Sequence, residues 1–493
     1  MLDALLLVPN SRAPAYGPLA PFAAVEPPVW AGLLATFLLR KGYGVEILDA
    51  HALDLSAGQI GAAVAAAQPR LAVAVAYGHQ PSASTQTMPA ARAALRAIRV
   101  AAPGLPTAIL GGHPSALPER TLQEEPVDFV VEGEGPYTLA ALLGETKGVF
   151  GSPFTYERVP GLWWKDMDGH PYRNAPAPLV KDLDGEMSGI AWGRLPPVET
   201  YRAHNWHALG HAERSPFAAL YTTLNCPFRC SFCCISSPFG GPGYQKWWPA
   251  TIGAELETLA VMGVRHVKIV DEMHWLSERH VEGICDEILA RGLGDALNIW
   301  CYARIDSVKR PDLLEKARRA GYRWLALGIE AADSTVRDGQ DKDFSDAQIV
   351  KTVGAIQDAG IHVIANYLFG LEGETRDSMQ RTLDLALNLR TEWANFYGVM
   401  VYPGSRLYAD AVAAGKAVPA KWEMYAPLGY ECVPFAPDGL TPAEVLAFRD
   451  AAFLRYFTDE GYLAMLGRKF GQAAVAQVRQ MTAVPIRRKI LED

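Results

Sequence analysis

The stretch NCPFRCSFCC at residues 225–234 decides how the rest of this sequence is interpreted. Within it, Cys226, Cys230 and Cys233 are spaced C-x3-C-x2-C, directly after an apolar segment typical of a buried strand. Three thiolates on one short loop can bind three irons of a 4Fe–4S cubane and leave the fourth iron without a protein ligand. That open iron can chelate S-adenosylmethionine and pass it an electron. We therefore predict a 4Fe–4S cluster that cleaves S-adenosylmethionine to a 5′-deoxyadenosyl radical.

The remaining cysteines indicate a reducing compartment rather than a disulfide framework. The chain has seven cysteines, an odd number, and a tight cluster in a long chain is typical of metal binding. Cys234, Cys285, Cys301 and Cys432 are predicted to be buried packing residues. A structural zinc site is the alternative for the cluster. Zinc normally takes four ligands, however, and the sequence has no second C-x2-C pair.

The composition is that of a globular protein and argues against two classes of partner. Of the 493 residues, 49% are hydrophobic and 20% are charged, and the formal net charge of −8 gives no basic surface for nucleic acid. No apolar run approaches the roughly 18–20 residues of a membrane span. The N-terminal MLDALLLVPN is predicted to be a buried strand, because it lacks the features of a signal peptide. We predict a cytoplasmic protein with no nucleic-acid or membrane partner.

Residues 1–145 alternate between strand-like and helix-like segments. Short apolar runs typical of buried parallel strands occupy residues 4–8, 44–48, 71–76, 106–110 and 129–131. Crossover helices are predicted between them at residues 28–41, 57–67 and 88–101. This alternation is typical of a doubly wound, Rossmann-like sheet whose ligand lies at the carboxyl ends of the strands. Residues 146–205, rich in Trp, Gly, Asp and Pro, are predicted to be a connector with β-hairpins.

A second alternating series begins at Phe217. Its six strand candidates are residues 218–222, 266–270, 298–303, 324–328, 362–369 and 393–401. Six units are too few for a closed eight-stranded barrel. We therefore predict a partial (β/α)6 barrel over residues 206–410, with its functional groups on the loops after the strands. Residues 411–493 are predicted to form a helical C-terminal domain, so the fold class is α/β with two sheet domains.

The second series resembles the radical S-adenosylmethionine superfamily over about residues 217–410. The resemblance implies that the backbone of Phe232, before the third cysteine, contacts the adenine. Asp271 and Glu272, after the second strand, would lie near the methionine amine, with a solvated loop as the alternative. Arg304 follows the third strand and would pair with the carboxylate of S-adenosylmethionine. Glu330 matches a recurrent glutamate after the fourth strand.

Two later motifs are collinear with this resemblance. FGLEGET at 369–375 is similar to FGLPGET, with Glu372 in place of the proline, and VYPGSRLY at 401–408 is similar to YPGT-x-LY. One departure is KWWP at 246–249, where relatives often carry an arginine. The loop at 239–249 and the C-terminal helices are predicted to shape the substrate pocket. Tyr244, Trp247 and Trp248 either line that pocket or pack beneath the helices.

The N-terminal region resembles the cobalamin-binding domain of cobalamin-dependent radical enzymes. Glycines after a strand let the backbone approach a ligand closely. The resemblance implies that two segments, ILGGHPSALPE and VDFVVEGEGPYTL, lie beside the nucleotide tail, through Gly111, Gly112, His113, Glu132 and Gly133. The loop after the third strand, AYGHQPSAST, supplies further candidates, which are Tyr77, Ser82, Ser84 and Thr85. A plain polar loop is the alternative for this last segment.

We predict that no protein histidine binds cobalt. Cobalamin domains with a histidine ligand carry D-x-H-x-x-G after the first strand, whereas the loop here, NSRAPAYGPLAPFAAVEPP, contains no histidine. His51 in Asp49-Ala50-His51 imitates the motif after the second strand, with Asp54 where glycine is expected. We interpret His51 as a mimic, and His113 as a loop histidine rather than a ligand.

The resemblance implies a methyltransferase that moves a methyl group from methylcobalamin to an unactivated carbon, or to phosphorus, of a small molecule. Its cofactors would be the 4Fe–4S cluster, S-adenosylmethionine and cobalamin, with flavodoxin or ferredoxin as the external electron donor. A cyclase or rearrangement enzyme with the same cofactors is the second hypothesis, and a non-catalytic cobalamin or iron–sulfur sensor is the third. The sequence does not identify the substrate.

Overall fold

The N-terminal sheet is built around five parallel strands in the order β2-β1-β3-β4-β5. The computed structural model describes residues 1–78, 83–146, 150, 153–340 and 342–492. In these ranges the strands of the sheet are β1 (Ala4–Val8), β2 (Val45–Asp49), β3 (Leu71–Val75), β4 (Thr107–Leu110), β5 (Phe129–Val131), β6 (Leu162–Lys165) and β7 (Pro171–Arg173). The hairpin β6–β7 pairs antiparallel with β5 and extends the sheet.

Helices cover both faces of this sheet, so its central strands are apolar along their whole length. The helices up to residue 186 are α1 (Arg12–Tyr16), α2 (Val29–Arg40), α3 (Ala57–Ala67), α4 (Ser84–Ala101), α5 (Gly112–Ala116), α6 (Pro118–Glu124), α7 (Pro136–Thr146), α8 (Pro153–Tyr156) and α9 (Leu183–Glu186). Helix α3 begins where Ser56 and Gln59 cap each other's backbone amides. The strand order reverses between β1 and β3, which is where ligands bind in such sheets.

The second sheet is an open, all-parallel barrel segment in the order β15-β14-β13-β12-β11-β8. The strands of this half of the described chain are β8 (Phe217–Leu220), β9 (Thr223–Leu224), β10 (Gln245–Lys246), β11 (His266–Ile269), β12 (Asn298–Ala303), β13 (Tyr322–Glu330), β14 (His362–Phe369) and β15 (Trp393–Gly398). The predicted doubly wound sheet and partial six-stranded barrel are both confirmed. Strands β9 and β10 form a separate antiparallel ribbon that brackets the cysteine loop.

Helices α10–α16 alternate with the barrel strands, and α17–α20 follow them. They are α10 (Pro249–Val261), α11 (Glu278–Ala290), α12 (Pro311–Arg319), α13 (Ser334–Asp338), α14 (Asp346–Asp358), α15 (Arg376–Leu389), α16 (Arg406–Ala413), α17 (Pro442–Phe457), α18 (Glu460–Phe470), α19 (Gln472–Thr482) and α20 (Lys489–Glu492). Helix α17 packs on β15, where Arg449 Nε donates to the Phe396 carbonyl at 2.7 Å. The helical C-terminal region is therefore confirmed. Among the residues that the structure describes, no helix qualifies as a membrane span.

The N-terminal sheet and the barrel pack against each other through buried polar and aromatic contacts. Gln86 Nε2 of α4 donates to Tyr402 Oη after β15 at 2.8 Å. Lys268 Nζ of β11 lies 2.8 Å from Glu26 Oε2, which precedes α2. Trp30 of α2 lies edge-on to Tyr221, with ring centroids 6.2 Å apart. These contacts turn the carboxyl edges of both sheets toward one region of the molecule.

Candidate active site

The three cysteines of the C-x3-C-x2-C motif line one cavity of about 300 Å³ at the carboxyl edge of the barrel. Their loop lies between β9 and β10, whose pairing of Leu224 with Gln245 holds its two ends together. Cys226 is buried, and Cys230 and Cys233 are half-buried. Their position around one cavity is consistent with the sequence prediction that the three thiols bind one cluster.

The donor set fits a cluster with three protein ligands. Among the described residues that line this cavity, there is neither a histidine nor a fourth cysteine. The histidine pairs His207/His211 and His274/His280 have spacings that zinc ligands also use, but they lie outside this lining. Burial raises the pKa of Cys226 to about 12. Metal binding must displace the thiol protons, so the site binds its metal with release of protons.

Glu272, Arg304, Glu330 and Phe232, which the sequence predicted around S-adenosylmethionine, all line this cavity. The guanidinium of Arg304 is oriented by a bidentate pair with Asp306, with both N–O distances 2.9 Å, and lies 3.9 Å above the Phe228 ring. This geometry leaves a planar, fixed cation at the cavity wall, the kind of group that recognises a carboxylate. Phe228 itself also lines the cavity.

Glu330 and Lys342 form a buried ion pair in the cavity wall. Lys342 Nζ contacts Glu330 Oε1 and donates to the Gly328 carbonyl at 2.9 Å. Glu330 has a φ of +66°, at a point where the register of β13 against β14 shifts. A left-handed conformation in a non-glycine residue is uncommon and is typical of functional sites. The sequence predicted Glu330 but gave no signal for Lys342.

Glu272 lies where the cluster cavity approaches the N-terminal sheet. It lines the cluster cavity and also a small cavity that contains Tyr77 and Gly112. Its Oε1 is buried and has no hydrogen-bond partner within the described chain. Burial raises the pKa of Glu272 to about 8. The carboxyl is therefore mostly protonated at neutral pH and available as a donor to a bound ligand.

The structure does not bring Asp271 into the cavity. Its side chain is fully buried, and its carboxylate accepts hydrogen bonds from the Thr222 backbone amide at 2.6 Å and from the Thr222 hydroxyl. His274 Nδ1 lies 3.2 Å from the same carboxylate. These contacts tie β11 to β8 and leave the neighbouring Glu272 to face the cavity.

The two later motifs serve mainly as structural supports. In FGLEGET, Glu374 Oε2 accepts hydrogen bonds from the backbone amides of Gly370 at 2.6 Å and Leu371 at 3.0 Å, while Glu372 is exposed. In VYPGSRLY, Gly404 has a φ of +90°, and a Cβ there would collide with the Ser237 hydroxyl and lie 3.0 Å from Ala116 Cβ. The exposure of Glu372 explains why a polar residue is tolerated at the position of the family's proline.

Glu374 predicts a pH dependence of stability. Burial raises the pKa of Glu374 to about 7, whereas an unfolded glutamate titrates near about 4.3. Between these pH values the native state keeps a proton that the unfolded state has lost. The free energy of unfolding therefore decreases as pH rises, by up to about 1.4 kcal/mol per pH unit. We expect Glu374→Gln to remove this decrease in urea unfolding between about pH 5 and about pH 7. Glu372→Gln is the exposed control, and an equal effect of both substitutions would contradict the assignment.

A cleft lies between the carboxyl edge of the N-terminal sheet and the barrel. Its enclosed part measures about 60 Å³, and it opens to solvent beyond. Tyr77 lines it, stacked on Trp30 with ring centroids 4.8 Å apart, and the Tyr77 hydroxyl is buried without a partner in the described ranges. Val270 lines both this cleft and the cluster cavity. The orphaned hydroxyl and the position at the strand ends fit a ligand bound between the two sheets.

Other N-terminal candidates bond to each other instead of facing the cleft. The Ser84 hydroxyl donates to the Ala76 carbonyl and accepts from the His113 backbone amide at 2.9 Å. Thr85 Oγ1 lies 3.1 Å from His113 Nδ1. Ser84 and Thr85 are the first residues of α4, not loop residues as predicted, because their hydroxyls satisfy backbone and side-chain groups within the fold. Ser82 lies outside the described residues.

The glycines and Glu132 have similar local roles. Gly111 has a φ of +148°, and a Cβ there would collide with the Ala76 carbonyl, so packing alone requires glycine. Gly112 lines the small cavity beside Tyr77, and the Gly133 amide donates to Ser115 Oγ at 3.0 Å. The carboxylate of Glu132 accepts two hydrogen bonds from Arg173 and one from Trp163. Glu132 thereby fastens the β6–β7 hairpin.

His51 lines the cleft between the sheets. Its carbonyl accepts a hydrogen bond from Arg12 at 2.7 Å, and burial lowers the pKa of the imidazole to about 4. The ring is therefore neutral at physiological pH. From the sequence we interpreted His51 as a residue that only imitates the cobalt-ligand motif. That interpretation did not predict that His51 would line the cleft.

The aromatic residues of the 239–249 loop do not line the cluster cavity. Trp247 is buried, and its indole donates to the Met187 carbonyl at 2.8 Å, whereas Trp248 is 69% exposed. Tyr244 is half-buried, and its hydroxyl has no partner among the described residues. Trp247 thus supports the connector, and pocket shaping by Trp247 or Trp248 receives no support from their positions.

Several lining residues escaped the sequence prediction. Lys268, Tyr302, Asn366, Tyr397 and Tyr402 all line the cluster cavity. Only Lys268 carried a signal that could have identified it, because a lysine inside the buried strand HVKI requires a partner or a function. The others follow an ordinary strand pattern, in which an inward polar residue cannot be told from a packed one.

Family models match both sheets of the chain. Residues 18–143 match the B12 binding domain, and residues 220–386 match the Radical SAM superfamily. The first range begins after β1 and includes β2 to β5, and the second begins at the last residue of β8 and ends within α15. The predicted order of a cobalamin-binding domain before a radical domain is confirmed.

Curated relatives and solved structures agree with this domain order. The chain is 24% identical over 410 residues to an uncharacterized methyltransferase of Pyrococcus horikoshii, covering 81% of each protein. It is 27% identical over 407 residues to the anaerobic magnesium-protoporphyrin IX monomethyl ester cyclase of Cereibacter sphaeroides, covering 79% of this chain and 61% of the cyclase. The fold matches the radical S-adenosylmethionine methyltransferase TsrM from Kitasatospora setae, at 17% identity and a TM-score of 0.69, over 98% of this chain and 100% of TsrM.

Proposed function

We propose that this chain, a cobalamin-dependent radical S-adenosylmethionine enzyme by its two domains, methylates an unactivated carbon, or phosphorus, of a small molecule. The observation that carries the proposal is the adjacency of two cavities at facing sheet edges. Val270 borders both the cluster cavity and the interdomain cleft, and Tyr77 and Glu272 meet at the small cavity between them. A substrate placed here would lie within reach of both cofactors.

The residues of the barrel edge would bind S-adenosylmethionine and exclude water. Cys226, Cys230 and Cys233 would hold the cluster, and Arg304 would pair with the carboxylate of S-adenosylmethionine. Glu272 and Glu330 would accept or donate hydrogen bonds to its amine and ribose. When bound, the cluster supplies the electron that cleaves S-adenosylmethionine, and cobalamin supplies the methyl group. The apolar wall of Met273, Leu368 and Val399 protects a reactive radical from solvent.

Cobalamin would lie in the interdomain cleft with no protein histidine on cobalt. Support comes from the histidine-free loop after β1 and from the orphaned Tyr77 hydroxyl in the cleft. His51 is the histidine that tests this proposal, because it lines the cleft. The cob(II)alamin EPR spectrum of the loaded protein should lack histidine-nitrogen superhyperfine splitting and should be unchanged in His51→Ala. Splitting that disappears in the variant would overturn the proposal.

The methyl-transfer proposal is tested with S-adenosylmethionine carrying a trideuterated methyl group. The protein is reconstituted with iron and sulfide, loaded with cobalamin, reduced, and incubated with a bacterial small-molecule extract. We expect 5′-deoxyadenosine, S-adenosylhomocysteine and a trideuteromethylated product by mass spectrometry. Absence of all three, with the cluster intact, would favour a non-catalytic sensor. A cytoplasmic location and an electron donor such as flavodoxin or ferredoxin complete the proposal, and the odd number of cysteines, seven, supports a reducing compartment.

A cyclase or rearrangement enzyme is the second candidate, and the similarity to the magnesium-protoporphyrin cyclase favours it. Such an enzyme would use the same cavities without methyl transfer. 5′-Deoxyadenosine formation without S-adenosylhomocysteine in the same assay would select this candidate.

A further inference from the structure

A second cavity of about 180 Å³ lies inside the barrel, deeper than the cluster cavity. Its lining residues Trp300, Ile364 and Trp393 come early in their strands, whereas the cluster cavity is lined by residues near the strand ends, such as Ala303 and Leu368. We call this space the inner chamber. The two cavities adjoin, because they share the lining residues Lys268, Tyr302, Asn366, Tyr397 and Pro427.

Aromatic rings form much of the wall of the inner chamber. Trp206 lies at their centre, with its ring centroid 5.1 Å from Trp300 and 6.5 Å from Trp393. Trp300 in turn contacts Tyr302 at 5.1 Å. Tyr397 and Phe453 add further rings. Flat aromatic surfaces set at different angles favour a planar ring that can stack on one wall and meet another edge-on.

Two residues of the same wall each carry a buried nitrogen atom that has no hydrogen-bond partner within the described chain. The two atoms are Nε1 of Trp300 and Nδ2 of Asn205, on residues that are 3% and 4% exposed. An indole N–H can only donate. Leaving a buried donor unpaired costs about 1–3 kcal/mol, so such groups are usually satisfied by water or a ligand. The Nζ of Lys268, paired with Glu26, lies 5.1 Å from the centre of the Trp300 ring.

We propose that the inner chamber binds the methyl acceptor, and that this acceptor is a small planar aromatic molecule carrying a carbonyl or carboxylate oxygen. The inference rests on the proposed function and names its substrate class. The aromatic rings favour binding of a planar molecule. The unpaired N–H groups of Trp300 and Asn205 favour a molecule that carries an oxygen acceptor.

The proposal is tested by equilibrium binding of defined probes to the cluster-reconstituted, cobalamin-loaded protein. Calorimetry is carried out with 2-naphthoate and with its saturated counterpart, decahydro-2-naphthoate. We expect 2-naphthoate to bind at least about tenfold more tightly, because only the planar ring can stack. Trp300→Phe keeps a ring but removes the donor, and should weaken 2-naphthoate binding by about tenfold, as loss of a charge-assisted hydrogen bond does.

Trp164→Phe is the matched control. Trp164 is a buried tryptophan of the N-terminal sheet whose indole donates to Asn174 at 3.2 Å, far from the chamber in the fold. Its replacement should leave probe affinity unchanged. Asn205→Asp provides a second test if Trp300→Phe does not fold, because a carboxylate in the chamber should repel 2-naphthoate and abolish its binding. Equal affinity of the two probes, or equal effects of Trp300→Phe and Trp164→Phe, would overturn the proposal.

The binding assay separates this inference from the proposed function. Methyl transfer from labelled S-adenosylmethionine without any binding of 2-naphthoate overturns the inference alone. Selective binding of 2-naphthoate, with dependence on Trp300, by a protein that does not cleave S-adenosylmethionine overturns the proposed function alone.

Discussion

Replacing Cys230 with alanine is expected to abolish cluster binding and to reduce S-adenosylmethionine cleavage to the background rate. Among the residues that the structure describes, three thiols line the cavity, so loss of one would leave two irons of the cubane without protein ligands. Iron and acid-labile sulfide per chain, measured after anaerobic reconstitution together with the visible absorption spectrum, report the cluster. Cleavage is measured as 5′-deoxyadenosine formed under reducing conditions.

Cys234→Ala is the control for this experiment. Cys234 is adjacent to Cys233 in the sequence, but it is buried in a core with Met400 and Tyr402 and does not line the cluster cavity. We expect the variant to keep its full cluster content, with a loss of stability of about 1 kcal/mol from the truncated core residue. A variant of Cys230 that retains the cluster, or loss of the cluster on replacement of Cys234, would contradict the assigned ligand set.

Replacing Lys268 with methionine is expected to destabilise the protein by about 3–5 kcal/mol, because Glu26 is then a buried charge without its partner. The Lys268 ammonium lies 3.0 and 2.8 Å from the two carboxylate oxygens of Glu26, and the exposed fractions of the two side chains are 2% and 5%. His204 Nε2 lies 3.6 Å from the same carboxylate. Urea unfolding of the apoprotein, monitored by tryptophan fluorescence, measures the effect without dependence on cofactor content.

Two further variants identify the cause of this destabilisation. The double variant Lys268→Met/Glu26→Gln removes both charges and should recover most of the lost stability. Lys41→Met breaks a surface pair, with Lys41 Nζ 3.1 Å from Glu186, and should cost less than about 1 kcal/mol. If the double variant is no more stable than Lys268→Met alone, the effect comes from lost packing and not from an unpaired charge.

The sequence predicted most of the fold because hydrophobic periodicity marks buried parallel strands strongly. The segment predicted at residues 71–76 is β3 (Leu71–Val75), and the helix predicted at 57–67 has those bounds in the structure. The β9–β10 ribbon escaped prediction because strands of two residues have no periodicity. The hairpin β6–β7 was expected in a connector, but its pairing with β5 is a long-range contact that no local pattern encodes.

Site residues could be predicted from the sequence where their chemistry is unusual. They could not be predicted where their role depends on the direction of the side chain. Three cysteines so close together in a long chain rarely serve packing alone, and they do line one cavity. Asp271 and Glu272 are equivalent in sequence, yet their side chains point to opposite sides of the loop. Asp271 bonds to Thr222, and Glu272 faces the cavity. Motif matching cannot distinguish such neighbours. Which of the two carboxylates turns inward depends on where the fold places a hydrogen-bond donor, here the Thr222 amide. The domain boundaries at residues 145, 205 and 410 stay predictions.

The wall of the inner chamber comes from both the N-terminal domain and the C-terminal helices, which has a consequence for release kinetics. Ala15, Phe22 and Gln86 of the N-terminal domain line the chamber, and so do Phe453 of α17 and Met481 of α19. Departure past Gln86 would break its hydrogen bond to Tyr402 between the two domains, whereas departure past α17 and α19 would not. The rate of product departure after the contact between Arg449 and the Phe396 carbonyl is weakened therefore distinguishes the two routes, because that contact holds α17 on β15.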